Sequence, residues 1–238
     1  MAENQKQVFL TGGTGYVGSR LAALLLSRGH YVKVLTRITT NLMQKLPMGC
    51  HPVFGNALSE DYASHVPPSD TFVHLVGVSH PSPAKAAEFR SVDLKGLEAA
   101  VKVAQSAQIK HFVYVSVAHP APMMKDYIAV REACEQIIRD SGVNATILRP
   151  WYVLGPGHRW PYALLPMYWI MERIPKTRDS ALRLGLVTLP QIVNTLAAAV
   201  ENPCQGIRIL EVPDIRRQTL TAMSHGSINK VPSPQGLG

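Results

Sequence analysis

Cysteine is scarce in this chain: its 238 residues include three, at positions 50, 134 and 204. The odd number and the wide separation argue against a disulfide framework and against a cysteine-based metal site. The nine histidines show no paired spacing typical of metal ligands, so we expect no bound metal. No uncharged apolar run reaches about 18 residues, which predicts no transmembrane helix. The start of the sequence also lacks the apolar core of a signal peptide, and we expect a cytoplasmic protein.

Charged residues make up 17% of the chain, and their balance is positive, with a formal net charge of +8. The basic residues are spread along the sequence and are not interleaved with aromatic residues, so we expect no nucleic-acid binding. A pocket for an anionic ligand would account for part of the positive charge. Association with a membrane surface or with a larger complex stays open as an alternative.

Short apolar runs alternate with helical patterns over the first 150 residues, and 46% of the chain is hydrophobic. This alternation is typical of βαβ units around a parallel sheet. The patterns predict strands over 8–10, 31–35, 52–55, 71–76, 111–115 and 145–148, a later strand over 207–212, and helices over 18–28, 41–45, 91–105, 127–140 and 191–200. Six strands in this rhythm predict an α/β fold with a doubly wound parallel sheet.

The composition changes after residue 151, where glycines and prolines flank an apolar stretch. We expect residues 1–218 to form a single domain with a small C-terminal substrate lobe within about 155–190. The polar segment 219–238 is predicted to be a flexible tail. The apolar segment 160–174 is expected to line a substrate pocket; a membrane-surface segment and the buried helix of a small cap are the alternatives.

A glycine-rich segment joins the first predicted strand to the first predicted helix, and it reads Gly12-Gly13-Thr14-Gly15-Tyr16-Val17-Gly18. Between a strand and a helix, this pattern indicates a dinucleotide-binding loop. Gly12 allows a tight turn, Gly15 allows the backbone to approach a pyrophosphate, and Gly18 allows the helix to pack against the strand. The free N–H groups of the helix N-terminus attract phosphates. The alternative is an ordinary turn.

Three motifs in order resemble the short-chain dehydrogenase/reductase superfamily, in its extended or atypical branch. They are Thr11–Gly18, His111–Ser116 and Leu148–Gly157, and the resemblance covers roughly residues 7–157. It implies a Rossmann fold and an NAD(P) cofactor. The third motif, which contains Pro150, resembles the turn that closes over the nicotinamide side of the cofactor in that branch.

Several residues are candidates for contacts with the adenosine half of the cofactor. Arg37 follows the second strand, where a basic residue suits a 2′-phosphate, so we expect NADP(H) rather than NAD(H). Arg20 is a second candidate for that contact, and a solvated loop charge is the alternative interpretation of Arg37. The resemblance implies that Asn56-Ala57 lie beside the adenine and that Val76-Gly77 lie near the ribose.

The resemblance also implies a catalytic set, consisting of a serine followed by Tyr-x-x-x-Lys. This sequence offers Ser116, Tyr127 and Arg131, with arginine in place of lysine, and Asp93 where an asparagine is usual. The tyrosine would exchange the proton at a carbonyl oxygen, the serine would orient that oxygen, and the cation would bind the ribose and lower the tyrosine pKa. Because arginine does not lose its proton, relay through position 131 is not expected. A tyrosine packed into the core is the alternative for Tyr127.

Two functions follow from these residues. The favoured one is an NADP(H)-dependent oxidoreductase acting on an apolar carbonyl or alcohol. The alternative is a non-catalytic NAD(P)H-binding protein, such as a redox sensor or an accessory subunit of a larger complex. An intact glycine loop beside an altered Tyr-x-x-x-Lys motif is the pattern that the second function would show.

Overall fold

The computed structural model describes residues 5–38, 46–79, 81–157 and 163–225. Its main sheet contains seven parallel strands in the order β3-β2-β1-β4-β5-β6-β9. These strands are β1 (Gln7–Thr11), β2 (Tyr31–Thr36), β3 (His51–Phe54), β4 (Thr71–His74), β5 (His111–Val115), β6 (Ala145–Arg149) and β9 (Ile207–Glu211). The winding direction changes between β1 and β4, so the doubly wound fold is confirmed. A ligand crevice is expected at that point, beyond the carboxyl ends of the strands.

Helices surround this sheet, and a small strand pair follows it along the chain. The helices are α1 (Gly18–Ser27), α2 (Lys95–Ser106), α3 (Lys125–Asp140), α4 (Leu165–Met171), α5 (Pro175–Arg183), α6 (Leu189–Glu201) and α7 (Val212–His225), and the strand pair is β7 (Tyr152–Leu154) with β8 (Leu186–Thr188). The helix predicted over 91–105 begins irregularly, because a π-helical segment, Phe89–Leu94, precedes α2. The helix predicted over 41–45 lies outside the described residues.

Two apolar clusters fill the opposite faces of the sheet. Val8 and Leu10 of β1 belong to one cluster, together with residues of α1 and α6. Phe9, between them in sequence, belongs to the other, together with residues of α2 and α3. This division follows from the alternation of side chains along a strand. Because both faces of the central strands are buried, the loops at their carboxyl ends have a rigid base.

The C-terminal part departs from the sequence prediction at one boundary. The later strand is present as β9, and it pairs with β6 in parallel register. Helix α7 continues to His225, so helical backbone runs seven residues into the segment that was predicted to be a flexible tail. Residues 226–238 lie outside the described ranges. No helix within those ranges has the length and apolar character needed to cross a bilayer.

Candidate functional site

The glycine-rich loop lies at the point where the winding direction changes. Gly12 has a φ of +75°, and a Cβ atom there would lie 2.8 Å from the backbone carbonyl of Leu75. A Cβ atom at Gly18 would collide with the carbonyl oxygen of Gly12. The N–H group of Gly15 donates to that same oxygen at 3.0 Å. Gly12 thus provides the tight turn, and Gly18 provides the close packing of helix against loop.

A cleft of about 680 Å³ opens beside this loop. It is lined by the glycine loop, by the ends of β2, β3 and β4, and by one side chain of α3. Of the residues proposed from the sequence to bind the cofactor, the cleft brings together Gly12, Thr14, Gly15, Tyr16, Val17, Arg37, Asn56, Ala57, Val76, Gly77 and Arg131. Residues far apart in sequence therefore meet in one cavity of a size typical of cofactor sites.

Pro150 is not among the lining residues. It is buried, and its carbonyl oxygen accepts a hydrogen bond from the N–H group of Ala118 at 2.9 Å. The turn that follows Pro150 contacts the glycine loop instead, because the hydroxyl group of Tyr16 occupies the space where a Cβ atom of Gly155 would lie. In this structure Pro150 therefore joins backbone segments and does not line the cleft.

The rim of the cleft at the end of β2 carries Arg37, whose side chain is exposed. Arg20, the second candidate for a 2′-phosphate contact, donates to the carbonyl oxygen of Tyr16 at 2.7 Å and lies over that tyrosine ring. Asn56 accepts a hydrogen bond from the N–H group of Leu58 through its Oδ1 atom at 3.1 Å. Its oxygen is thus partly committed to the local turn.

Arg131 forms the inner end of the cleft and is held on several sides. Its Nη1 atom donates to the hydroxyl group of Tyr114 at 2.9 Å and to the carbonyl oxygen of Val115 at 2.8 Å. Its Nη2 atom makes a short ion pair with Asp93. Asp93 also accepts a hydrogen bond from the N–H group of Val78 at 3.1 Å. A fixed, buried cation therefore stands where the motif calls for lysine.

The electrostatics of Asp93 and Arg131 follow from their burial. Desolvation raises the pKa of the Asp93 carboxyl group, and the guanidinium group of Arg131 offsets part of that rise. A buried charge of one sign is costly unless an opposite charge compensates it. The aspartate at position 93 and the arginine at position 131 are thus two halves of one neutral pair.

Tyr127 lies beside this pair, one helical turn before Arg131. Its ring packs against Phe89, with the ring centres 4.9 Å apart, and the guanidinium carbon of Arg131 lies 5.0 Å from its ring centre. Burial raises the pKa of Tyr127 above its ordinary value, and the charge of Arg131 opposes that rise. The expectation of a lowered pKa is therefore wrong for this structure, because desolvation outweighs the cation.

Ser116 does not line the cleft, although the sequence suggested that it would orient a substrate oxygen. The side chain is 3% exposed, and its hydroxyl group donates to Oε1 of Glu135 at 2.6 Å. Ser116 and Tyr127 are both absent from the lining of the cleft. Committed to a buried carboxylate, this hydroxyl group cannot orient a substrate oxygen without breaking that bond.

Glu135 is a residue that sequence reasoning missed. Its carboxylate also accepts hydrogen bonds from Arg149 and Arg139. Burial raises the pKa of Glu135, but the hydrogen bonds from Arg149 and Ser116 and the charge of Arg149 outweigh it, so the pKa is lowered. The available signal was its spacing, because Tyr127, Arg131 and Glu135 follow each other at intervals of four along α3 and so share one face. This face carries two separate charge clusters, one at the cleft and one behind it.

The residues present fit a dinucleotide. The loop leaves backbone groups free of side chains beside the cleft, and the N-terminus of α1 points a positive dipole end at that space. The Nε atom of Arg131 is buried and has no hydrogen-bond partner among the described residues. An acceptor such as a ribose hydroxyl group would satisfy it. The cleft thus offers a phosphate site at one end and a donor at the other.

Comparisons with known proteins agree with this geometry. Residues 12–159 match the model of a family described as NAD(P)H-binding. The chain is 26% identical over 174 residues to 4-hydroxy-2-methyl-3-oxo-4-farnesyl-3,4-dihydroquinoline-1-oxide ketoreductase from Stigmatella aurantiaca, covering 63% of this chain and 51% of that protein. It is 24% identical over 216 residues to ceramide reductase from Caulobacter vibrioides, and this match covers 90% of this chain and 66% of that protein. The chain thus spans about half to two thirds of the length of these relatives.

A solved structure shares the fold at low sequence identity. The enzyme WbmH from Bordetella bronchiseptica, in complex with NAD+, superposes with a TM-score of 0.64 at 19% identity, and the match covers 97% of this chain and 84% of that one. The matched family model spans well over half of the chain, from the glycine loop to the turn after β7. This chain therefore belongs to the NAD(P)H-binding family of the extended short-chain dehydrogenase/reductase superfamily.

Proposed function

We propose that the protein binds NADP(H) along the cleft, with the pyrophosphate at the glycine loop and the 2′-phosphate at Arg37. The position of Arg37 carries this proposal, because an exposed guanidinium group on the rim at the end of β2 can form a charge-assisted contact with a phosphate. The adenine would lie against Asn56 and Ala57, and the nicotinamide ribose would lie toward Arg131.

We further propose that the bound cofactor serves the reduction of an apolar carbonyl group. The nicotinamide would supply the hydride. Tyr127 would supply the proton, and its raised pKa keeps the phenol protonated at neutral pH, which suits a donor better than a base. The two relatives above are named as reductases of a farnesyl-bearing compound and of ceramide, and this supports an apolar substrate.

A non-catalytic NAD(P)H-binding function is the second candidate, and two contacts favour it. The hydroxyl group of Ser116 is bonded to Glu135, and Arg131 is fixed by Asp93. The hydroxyl group of Ser116 is thereby withdrawn from a substrate, and the guanidinium group at position 131 does not exchange protons, although the cleft keeps its lining for a nucleotide. In this case the protein would hold the nucleotide as a redox sensor or as an accessory subunit of a complex.

Calorimetric titration with NADPH and NADH tests the binding proposal. The native protein should bind NADPH more tightly, and Arg37→Asp should remove this preference. A charge-assisted hydrogen bond contributes about 1.5–3 kcal/mol, so the loss should be roughly 10-fold or more for NADPH and small for NADH. Arg90→Asp, which changes an exposed arginine outside the cleft, is the matched control. Equal affinities of the native protein for both nucleotides would refute the NADP(H) assignment.

Hydride-transfer assays then distinguish a reductase from a protein that only binds the nucleotide. If the protein is a reductase, Tyr127→Phe should abolish turnover while nucleotide affinity is kept, because only the donated proton is removed. Ser116→Ala should leave turnover largely intact, since that hydroxyl group faces Glu135. Because the pKa of Tyr127 is raised, activity should stay flat from neutral pH up to the ordinary range of tyrosine. Absence of turnover with NADPH across apolar ketones would favour the binding-only function.

A further inference from the structure

Helix α4 presents its apolar side to the outside. Within the helix no residue is buried. Leu165, Met167, Trp169 and Ile170 are 41%, 46%, 60% and 52% exposed. Tyr168 on the opposite side is only half-exposed. A surface helix of a globular protein normally shows the reverse arrangement, with the apolar side turned inward, so this face is built to meet something other than water.

The helix is fixed in this orientation by contacts on its inner side. Glu172, directly after α4, forms an ion pair with Arg216 of α7 at 2.9 Å. A shallow recess beside Arg216 is lined by Tyr168 and also by Leu165, Pro166 and Trp169 of the helix. The ion pair thus fixes the C-terminal end of α4 against α7, while Leu165 and Trp169 stay largely exposed.

Basic residues border the apolar face. The guanidinium carbon of Arg173 lies 3.5 Å from the ring centre of Trp169, and its Nη1 atom donates to the carbonyl oxygen of that tryptophan. Lys176 and Arg178 of α5 are exposed. Residues 163–185 contain four basic residues and two acidic ones, and one of the acidic residues, Glu172, is already paired with Arg216. The border of the face is therefore cationic.

We propose that this surface, residues 165–178, docks the protein on an anionic lipid bilayer. Exposed Trp, Leu, Met and Ile side chains beside Lys and Arg are the combination that lies at the level of lipid headgroups, with the apolar side chains in the acyl boundary and the cations on the phosphates. The positive charge of the whole chain, +8, adds a long-range attraction to an anionic leaflet.

Two other occupants fit less well. A cover over the substrate would face the cleft, yet none of the residues that line the cleft comes from α4 or α5. A second copy of the chain, bound through the same face, would bring two cationic borders together, and like charges in an isologous contact oppose association. An anionic bilayer fits both parts of the surface, because its acyl region accepts the apolar side chains and its headgroups attract the basic ones.

Flotation of the full chain with vesicles tests the proposal. One vesicle set is phosphatidylcholine alone, and the other contains phosphatidylglycerol as well. The protein should float with the anionic vesicles and not with the neutral ones, and binding should weaken as salt is raised. The double variant Trp169→Ser/Ile170→Ser should bind at least about tenfold more weakly, because two large apolar side chains leave the bilayer. Met48→Ser, which removes an apolar side chain that is 98% exposed elsewhere, is the matched control and should bind normally.

The charge contribution has its own control pair. Lys176→Glu should weaken anionic binding about fivefold or more, whereas Lys95→Glu, which changes an exposed lysine outside the surface, should have little effect. Calorimetry with NADPH and circular dichroism verify that each variant is folded and binds nucleotide. Equal binding to neutral vesicles, or no binding to anionic ones at low salt, would overturn the proposal. So would a change from dimer to monomer in light scattering of the Trp169→Ser/Ile170→Ser variant, because the second copy would then be the occupant.

Discussion

Removal of one member of the Asp93–Arg131 pair should destabilise the protein strongly. Arg131→Met deletes the cation and leaves a carboxylate that is 1% exposed without its counter-charge. Breaking a buried ion pair in this way costs about 3–5 kcal/mol. The hydrogen bonds to Tyr114 and Val115 are lost as well, which places the expected loss toward the upper end. Urea unfolding at pH 7, followed by circular dichroism, measures it.

The pH dependence of this loss identifies its cause. Without Arg131 the folded-state pKa of Asp93, already raised by burial, should rise further above the value in the unfolded chain. A carboxyl group whose folded-state pKa is raised binds its proton more tightly when folded, so its contribution favours folding at low pH and is lost as pH increases. The deficit of Arg131→Met relative to the native protein should therefore grow as pH increases above about 4, the ordinary pKa of an aspartate in an unfolded chain.

A double-mutant cycle completes the test. Asp93→Asn alone leaves the arginine charge buried, whereas Asp93→Asn combined with Arg131→Met removes both charges and should cost about 2–3 kcal/mol less than the sum of the single changes. Lys102→Met breaks the exposed pair with Glu60 and should change stability little, since surface pairs contribute little. A loss below about 1 kcal/mol for Arg131→Met, or a coupling near zero, would refute the description of this pair as one buried unit.

Two further predictions concern the loop and the response to acid. Gly15→Val should abolish nucleotide binding in calorimetry, because Gly15 lines the cleft. The added Cβ atom would lie 3.1 Å from the carbonyl oxygen of Gly12, so the loop should shift by only a few tenths of an ångström and the melting temperature should fall by no more than a few degrees; normal binding would mean that the loop is only a turn. Stability should also fall as pH decreases below about 6.5, since burial lowers the pKa of His74 to about 3 and of His111 to about 4. Both are neutral when folded and gain protons on unfolding, so at pH 4.5 each should lower the free energy of unfolding by about 2–3 kcal/mol, and His111→Gln should reduce the loss.

The fold and the cleft could be predicted from the sequence because their determinants are local. The alternation that puts Val8 and Leu10 on one face of β1 and Phe9 on the other is a property of any strand. The turn at Gly12 needs a positive φ, and glycine is the residue that adopts it freely. Once these elements are placed, the change in winding direction between β1 and β4 determines where the cleft opens. Most of the proposed cofactor contacts follow from that position.

The role of Ser116 could not be predicted in the same way. Its partner Glu135 lies 19 positions later, and the carboxylate is in turn held by Arg149 of β6. Whether the hydroxyl group faces the cleft or the helix behind it depends on how α3 packs on β5 and β6. No periodicity in the sequence carries that information. The extent of α7 could not be predicted for a related reason, since this helix packs beside α6 and β9 and continues to His225 in spite of its polar composition.

The two residues that differ from the superfamily motif, Asp93 and Arg131, contact each other and have to be interpreted together. Taken singly, arginine at position 131 removes an ionisable lysine, and aspartate at position 93 removes a hydrogen-bond donor. Taken together, they replace a neutral amide and a cation by a charge pair that also receives the N–H group of Val78 in the wall of the cleft. Because Asp93 neutralises the buried cation at position 131, which an asparagine would not do, the pair is consistent with a nucleotide site that is held together around Arg131. It follows that exchanging position 131 for lysine would be informative chiefly when Asp93 is exchanged for asparagine at the same time.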